Sequence, residues 1–175
     1  TGVDAGHPDL AGRILPGYDA TRRRAGSTSD PNGHGTHVAG SIAGAGAVSG
    51  IAPNSRILPV RVMNANGGGN TADIVAGIVW AVDHGANVIN MSLGSRDSDK
   101  AEEAAIRWAR NRGVVVVAAV GNDGGKRTMY PAGYGDSKKN ATDGTDPVIG
   151  VGAVHRGGAR AAFSRGSSLS PSSTK

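Results

Sequence analysis

Residues 114–120 read Val-Val-Val-Val-Ala-Ala-Val, with Gly113 before them and Gly121 after. A run of this length suits a strand and is short for a helix. Every side chain in it is apolar, so it predicts a strand buried on both faces, the setting of an inner strand in a parallel sheet. The surroundings agree. Arg56 to Met63 is a β run in which Pro59, lacking an N–H, predicts an edge or a bulge. Asn66 to Asn70 is a loop, Thr71 can cap the next helix, and Ile74, Val75, Ile78, Val79 and Val82 share one helical face that closes at Gly85. Val88 to Leu93 is the next strand. Asp99 and Glu102 form a capping-box pair for a helix through Arg110, which Gly113 stops. Val148 to Val154 is a further strand. A βαβαβ order implies an α/β fold with a doubly wound parallel sheet and helices on both faces. Function is then expected at the carboxyl ends of the strands.

The first part of the chain is less regular. Asp30-Pro31-Asn32-Gly33 leads into a small-residue helix from His34 to Ala47, whose glycines weaken it unless it packs closely. There is no internal repeat and no linker. Glycine accounts for 29 of 175 residues and aromatics for 3%, which predicts a core of small aliphatic side chains and argues against a nucleic-acid binder that stacks bases on aromatic rings. With no cysteine, a disulfide scaffold, a Cys-based zinc site and a Cys nucleophile are excluded. No run is long enough to span a membrane, and no signal-peptide pattern occurs in the chain. The net charge of +5 is mostly a late feature, because four basic residues and no acid follow Pro147. Arg22-Arg23-Arg24 reads as a solvated loop.

Three segments could carry chemistry. His34 and His37 stand three apart where a loop enters a helix, and the glycines flanking His34 allow close backbone approach to its ring. The spacing is not that of a zinc motif, and His7, His84 and His155 are isolated. Asn122 follows the buried strand, where it serves either as a turn former or as a carboxamide donor to a developing oxyanion. Ser92-Leu93-Gly94 ends the neighbouring strand with backbone suited to pairing with an extended ligand.

Taken together these residues carry a family resemblance. Thr1-Gly2-Val3-Asp4 with His7-Pro8-Asp9-Leu10, His34-Gly35-Thr36-His37-Val38-Ala39-Gly40, Gly50-Ile51-Ala52-Pro53, Asn90-Met91-Ser92-Leu93-Gly94, Ala118-Ala119-Val120-Gly121-Asn122, Val148 to Val154 and Phe163-Ser164 resemble, in order, landmarks of the subtilisin-like serine proteases, peptidase family S8. The likeness runs from Thr1 to about Arg165. It implies a three-layer subtilisin-like sheet, incomplete at both ends, with a partial peptidase domain at 1–166. Ser-rich residues 167–175 form a tail expected to be disordered.

The implied reaction is acyl transfer: a Ser attacks the scissile carbonyl, His34 takes its proton, an Asp orients His34, and Asn122 binds the oxyanion. The family's Asp stands immediately before the Thr-Gly pair, a position preceding Thr1, and no Gly-Thr-Ser nucleophile motif occurs here. The chain alone is therefore expected to be inactive. The resemblance further implies an extended peptide or protein substrate lying between Gly67-Gly68-Gly69 and Ser92-Leu93-Gly94. Ala118, Ala119 and Gly121, all small, would line a recess roomy enough for a large apolar side chain. No cofactor is expected. Asp9 is a weak calcium candidate, because the loop from Gly44 to Gly50 that would complete its site lacks carboxylate and amide side chains. An inhibitory pro-peptide in the full-length parent and a secreted or extracellular location also follow from the resemblance; nucleic acid and membrane partners do not. The rival reading is a non-catalytic peptide-binding relative of the same fold. A dinucleotide-binding domain is disfavoured, since Gly44-Ala45-Gly46 ends a helix instead of following a strand.

Overall fold

The structure, a computed structural model, describes residues 1–26, 29–135 and 146–166. The chain divides into two compact units, Thr1–Ala86 and Asn87–Lys175. The expected tail at 167–175 lies outside the described residues.

In the first unit, strands β1 (Tyr18–Asp19), β2 (Arg24–Ala25) and β3 (Val60–Arg61) form a sheet of order β2-β1-β3, with β1 parallel to β3 and antiparallel to β2. The β run predicted over Arg56–Met63 is realised as a ladder only at Val60–Arg61, with an isolated parallel bridge between Ile14 and Ile57. Pro59 explains the break. It has no N–H for the ladder and contributes only its carbonyl, which accepts from Tyr18 N–H at 2.9 Å. Arg22 and Arg23 on the turn between β1 and β2, and Arg24 at the start of β2, are exposed; Arg23 takes φ 53° and lies 3.6 Å from Asp73. Asp19 is buried and faces the buried Arg61 across 3.5 Å, with the Thr21 hydroxyl donating to it at 2.6 Å.

Helix α1 (His34–Ala43) ends four residues before the predicted Ala47. At Gly44 the chain turns to ψ 139°, and a Cβ there would stand 2.7 Å from both Gly40 O and Val48 O. Its Ala39 packs with Val3 and Leu10, flanked by Ile14 and Ile57. Helix α2 (Thr71–Asp83) is capped by Asn70, whose side-chain Oδ1 accepts from Asp73 N–H at 2.9 Å; Thr71 is its first helical residue and not the predicted cap. Gly77 presses against Val60 and Val62, which a Cβ would strike at 2.9 and 2.6 Å. The helix closes as predicted: Gly85 takes φ 81°, its N–H reaches Val82 O, and Ala86 N–H reaches Ala81 O.

The second unit holds the parallel sheet β4 (Val88–Met91), β5 (Val115–Ala119) and β6 (Ile149–Val151) in the order β4-β5-β6, with Val88 opposite Val115 and Val117 opposite Ile149. Helix α3 (Lys100–Arg110) connects β4 to β5. The expectation that 114–120 is covered on both faces is corrected. Val116, Ala118 and Val120 are buried, whereas Val115 is 44% exposed and its neighbours on that face, Val88, Ile149 and Val151, are also exposed. The alternation is that of a sheet with one covered face. Asp99 caps α3 by accepting from Ala101 and Glu102 N–H groups, but Glu102 does not reach back to Asp99 N–H. The Tyr134 hydroxyl stands between them, 2.9 Å from Asp99 N and 2.9 Å from Glu102 Oε2. Burial of Glu102 raises its pKa above the usual carboxylate value.

Candidate active site

His34 is the first residue of α1, and a helix start leaves backbone N–H groups without intrahelical partners. Here side chains take all of them. Asp30 Oδ1 accepts from Gly33 N–H at 2.9 Å, Asn32 Oδ1 from His34 N–H at 3.3 Å, Thr1 Oγ1 from Gly35 N–H at 2.9 Å, and Asp30 Oδ2 from Thr36 N–H at 2.8 Å. The Thr36 hydroxyl also donates to Asp30 Oδ2 at 2.7 Å while accepting from Asp4 N–H at 2.9 Å. Gly35 has no room for a side chain, since a Cβ would run into Gly2 O. The segment Thr1–Asp4 and the His34–Thr36 turn are thus stitched together, and the His34 ring is left exposed. Partial burial works to raise the Asp30 carboxyl, but the bonds from Thr36, Thr1 and Gly33 outweigh it and hold the group well below the usual carboxylate range.

The Gly67-Gly68-Gly69 segment belongs to the same unit. It is an ordered turn: Asn64 Oδ1 accepts from the N–H groups of Asn66 and Gly68, Asn64 N–H donates to Gly68 O at 2.8 Å, and Gly69 bridges Met63. Asn32 Nδ2 ties it to the His34 turn by donating to Ala65 O at 2.8 Å.

In the second unit, pairing of β4 with β5 stops at Met91 opposite Ala118, and the next bridge is Ser95 with Tyr130. Ser92, Leu93 and Gly94 lie outside any ladder between them. Beside them, at the end of β5, Gly121 takes φ 110° and delivers an exposed Asn122. Ala118 is 1% exposed and Ala119 half-buried, and successive strand residues face opposite sides, so only one of these two methyls lines any one recess.

The loop after Gly121 is held by a residue distant in sequence. Arg165 grips the Asp123 carboxylate with Nε and Nη2 and donates through Nη1 to Arg127 O, while Arg96 lies 3.2 Å from Asp123 Oδ2. Backbone bonds reinforce the grip: Arg165 N–H donates to Gly121 O at 3.0 Å and Gly124 N–H to Phe163 O at 2.7 Å. The Arg165 guanidinium keeps the Asp123 carboxyl well below its ordinary pKa. Buried Ser164 anchors the segment by accepting from Ala153 N–H at 2.9 Å. The sequence did not point to Asp30, Asp123 or Arg165. For Asp30 a signal existed, a carboxylate three and six residues ahead of two helix-start amides, Gly33 and Thr36; for the 42-residue separation of Asp123 and Arg165 there was none.

The surroundings of Asp9 bear on calcium. Both carboxylate oxygens are taken by amides of the short loop: Ala47 N–H donates to Oδ1 at 2.8 Å and Val48 N–H to Oδ2 at 3.1 Å. A Cβ at Gly46 would collide with Asp9 Oδ1. Hard cations need several oxygen donors, and this loop aims N–H groups where an ion would sit, so the residues do not fit calcium there. Among the described residues no group of three or more His, Cys, Asp or Glu could hold a metal ion, and no helix is long and apolar enough to cross a membrane.

The Subtilase family model, Peptidase S8, matches residues 1–175. A thermophilic serine proteinase of Bacillus sp. strain AK1 is 44% identical over 168 residues, covering 94% of this chain and 39% of its own. Thermitase of Thermoactinomyces vulgaris is 40% identical over 141 residues, covering 78% of this chain and 50% of its own. The crystal structure of a cold adapted subtilisin-like serine proteinase superposes with a TM-score of 0.80 at 33% identity, covering 94% of this chain and 56% of that one. This chain therefore spans about half the length of its relatives. The parallel α/β architecture agrees with these matches, and the chain belongs to the subtilase family of serine proteases.

Proposed function

We propose that this chain supplies the general base and the oxyanion donor of a subtilisin-type serine endopeptidase. His34 takes the proton of a serine nucleophile and returns it to the leaving amine; Asn122 donates its carboxamide N–H to the tetrahedral oxyanion. The partial peptidase domain is residues 1–166, and an extended peptide or protein substrate lies along Gly67–Gly69 and Ser92–Gly94. The observation that carries this reading is the exposed Asn122, which follows a left-handed Gly121 at the end of β5, beside three residues of β4's extension that pair with no strand among the described residues. The junction of Thr1–Asp4 with the His34 turn supports an Asp immediately before Thr1 as the orienting group, because Thr1 Oγ1 already bonds Gly35 N–H.

The 175 residues contain no Gly-Thr-Ser and are expected to show no turnover by themselves. A secreted location and an inhibitory pro-peptide in the parent are part of the same proposal, drawn from the family. So is activity without calcium at Asp9, drawn from the amide-filled carboxylate. The test is a longer polypeptide carrying this sequence between an Asp and a downstream Gly-Thr-Ser. It should hydrolyse casein and react with a fluorophosphonate, and His34→Ala should abolish both. Undiminished labelling and turnover in His34→Ala would overturn the reading.

A further inference from the structure

The recess that the small residues Ala118, Ala119 and Gly121 lead one to expect is filled. A Cβ placed on Gly121 would stand 2.6 Å from Met129 Sδ, 2.8 Å from Met129 Cγ and 2.7 Å from Arg165 Cδ. A Cβ placed on Gly94 would stand 3.3 Å from Met129 Cβ and 3.6 Å from Met129 Cε. The Met129 side chain therefore runs across the gap between the carboxyl ends of β4 and β5, touching both glycine walls. Arg165, tied to Asp123, closes the flank beside Gly121.

The backbone under Met129 is fixed. Its N–H donates to Val120 O at 2.9 Å and its carbonyl accepts from Gly133 N–H at 2.9 Å. Tyr130 exchanges two bonds with Ser95, at 2.8 and 2.9 Å. Withdrawing the side chain by moving the backbone would break these four bonds, so only rotamer changes are available. An unbranched thioether adapts to a small neighbour at little cost, but an aromatic ring needs the volume that Met129 occupies.

We propose that Met129 sets the depth of the recess between Gly94 and Gly121. A peptide lying along Ser92–Gly94 then presents a small side chain there, such as that of Ala, and large aromatic side chains are excluded. This rests on the peptide-binding reading of Ser92–Gly94. The chain has three methionines, Met63, Met91 and Met129, so methyl-labelled methionine gives an NMR spectrum with few signals to assign. The experiment titrates the full chain with Ala-Ala-Pro-Ala and Ala-Ala-Pro-Phe, following the Met129 methyl and the affinity.

The Ala peptide should shift the Met129 methyl and bind at least roughly 10-fold more tightly than the Phe peptide, a modest value for a mismatch in an apolar pocket. Met129→Gly should reverse that order, and Met129→Ala should narrow it, which keeps the test alive if the glycine variant folds poorly. Equal binding of both peptides by the wild type, with the order unchanged in the variants, would overturn the role of Met129 while leaving the peptide site intact. Binding of neither peptide by the folded chain would overturn the peptide site itself, and this inference with it.

Discussion

Gly33 and Gly121 occupy the same position in two differently built regions. Each immediately precedes a side chain to which a catalytic role is proposed, His34 or Asn122, and each holds a left-handed backbone, with φ 91° and 110°. Their surroundings differ. Around Gly33 a Cβ would meet nothing within 4 Å, whereas at Gly121 it would strike Met129 and Arg165. His34 is held by polar side chains that satisfy a helix start from outside: Asp30, Asn32 and Thr1. Asn122 is held by a buried strand behind it and a packed, ion-paired segment beside it. The same backbone conformation is thus enforced by hydrogen bonding in one region and by packing in the other, and substitutions should separate the two.

The largest effect on stability is expected at Gly121. Gly121→Ala combines the left-handed penalty of roughly 1–2 kcal/mol with overpacking of about 1–3 kcal/mol. Chemical denaturation should show a loss near the sum; a loss no greater than that of Gly33→Ala would mean that Met129 and Arg165 yield freely. Next comes Asp30→Ala, which strips acceptors from the start of α1 and should cost about 1–2 kcal/mol at neutral pH. Because the folded-state pKa of Asp30 is depressed, its contribution is complete above the unfolded value of about 4 and is lost as pH falls below it. The wild type and the variant should therefore converge toward acid, and a gap that persists unchanged at pH 2 would contradict the assignment.

Gly33→Ala should cost only about 1 kcal/mol, since the backbone strain stands alone there. The smallest effect is a slope. Glu102 has a raised pKa in the folded protein, so its ionisation opposes folding as pH climbs through that value, and protonation relieves the cost. Glu102→Gln should gain on the wild type as pH rises above the ordinary carboxylate value of 4.5; parallel stability curves would show that the Tyr134 hydroxyl fully compensates the carboxylate.

Periodicity and punctuation made much of the framework legible. The Val114–Val120 run, the face of α2 and the Gly85 stop are all visible in the chain and present in the fold. The misreadings are local choices between near-equivalent residues. Asn70 and Thr71 are both good caps, and only geometry selects the first. Gly40 and Gly44 both break helices, and packing against Val48 O selects the second. Burial of the second face of β5 could not be read from its composition, because an apolar side chain states a preference and not the presence of a neighbour. The motifs around His34 and Asn122 stand out in the sequence because each is contiguous. The contacts of Asp123, Arg165 and Met129 do not, because they depend on a return of the chain that no periodicity records.

The most direct test of the account is steady-state kinetics of Asn122→Ala in a longer polypeptide that carries this sequence between the Asp and the Gly-Thr-Ser. A donor that acts only on the oxyanion strengthens the transition state and leaves substrate binding alone. In enzymes of this family the loss of one such donor lowers kcat by roughly 10²–10³. The account predicts a fall of that order in kcat with KM nearly unchanged. An unaltered kcat would contradict it and leave Asn122 as the turn residue that ends β5.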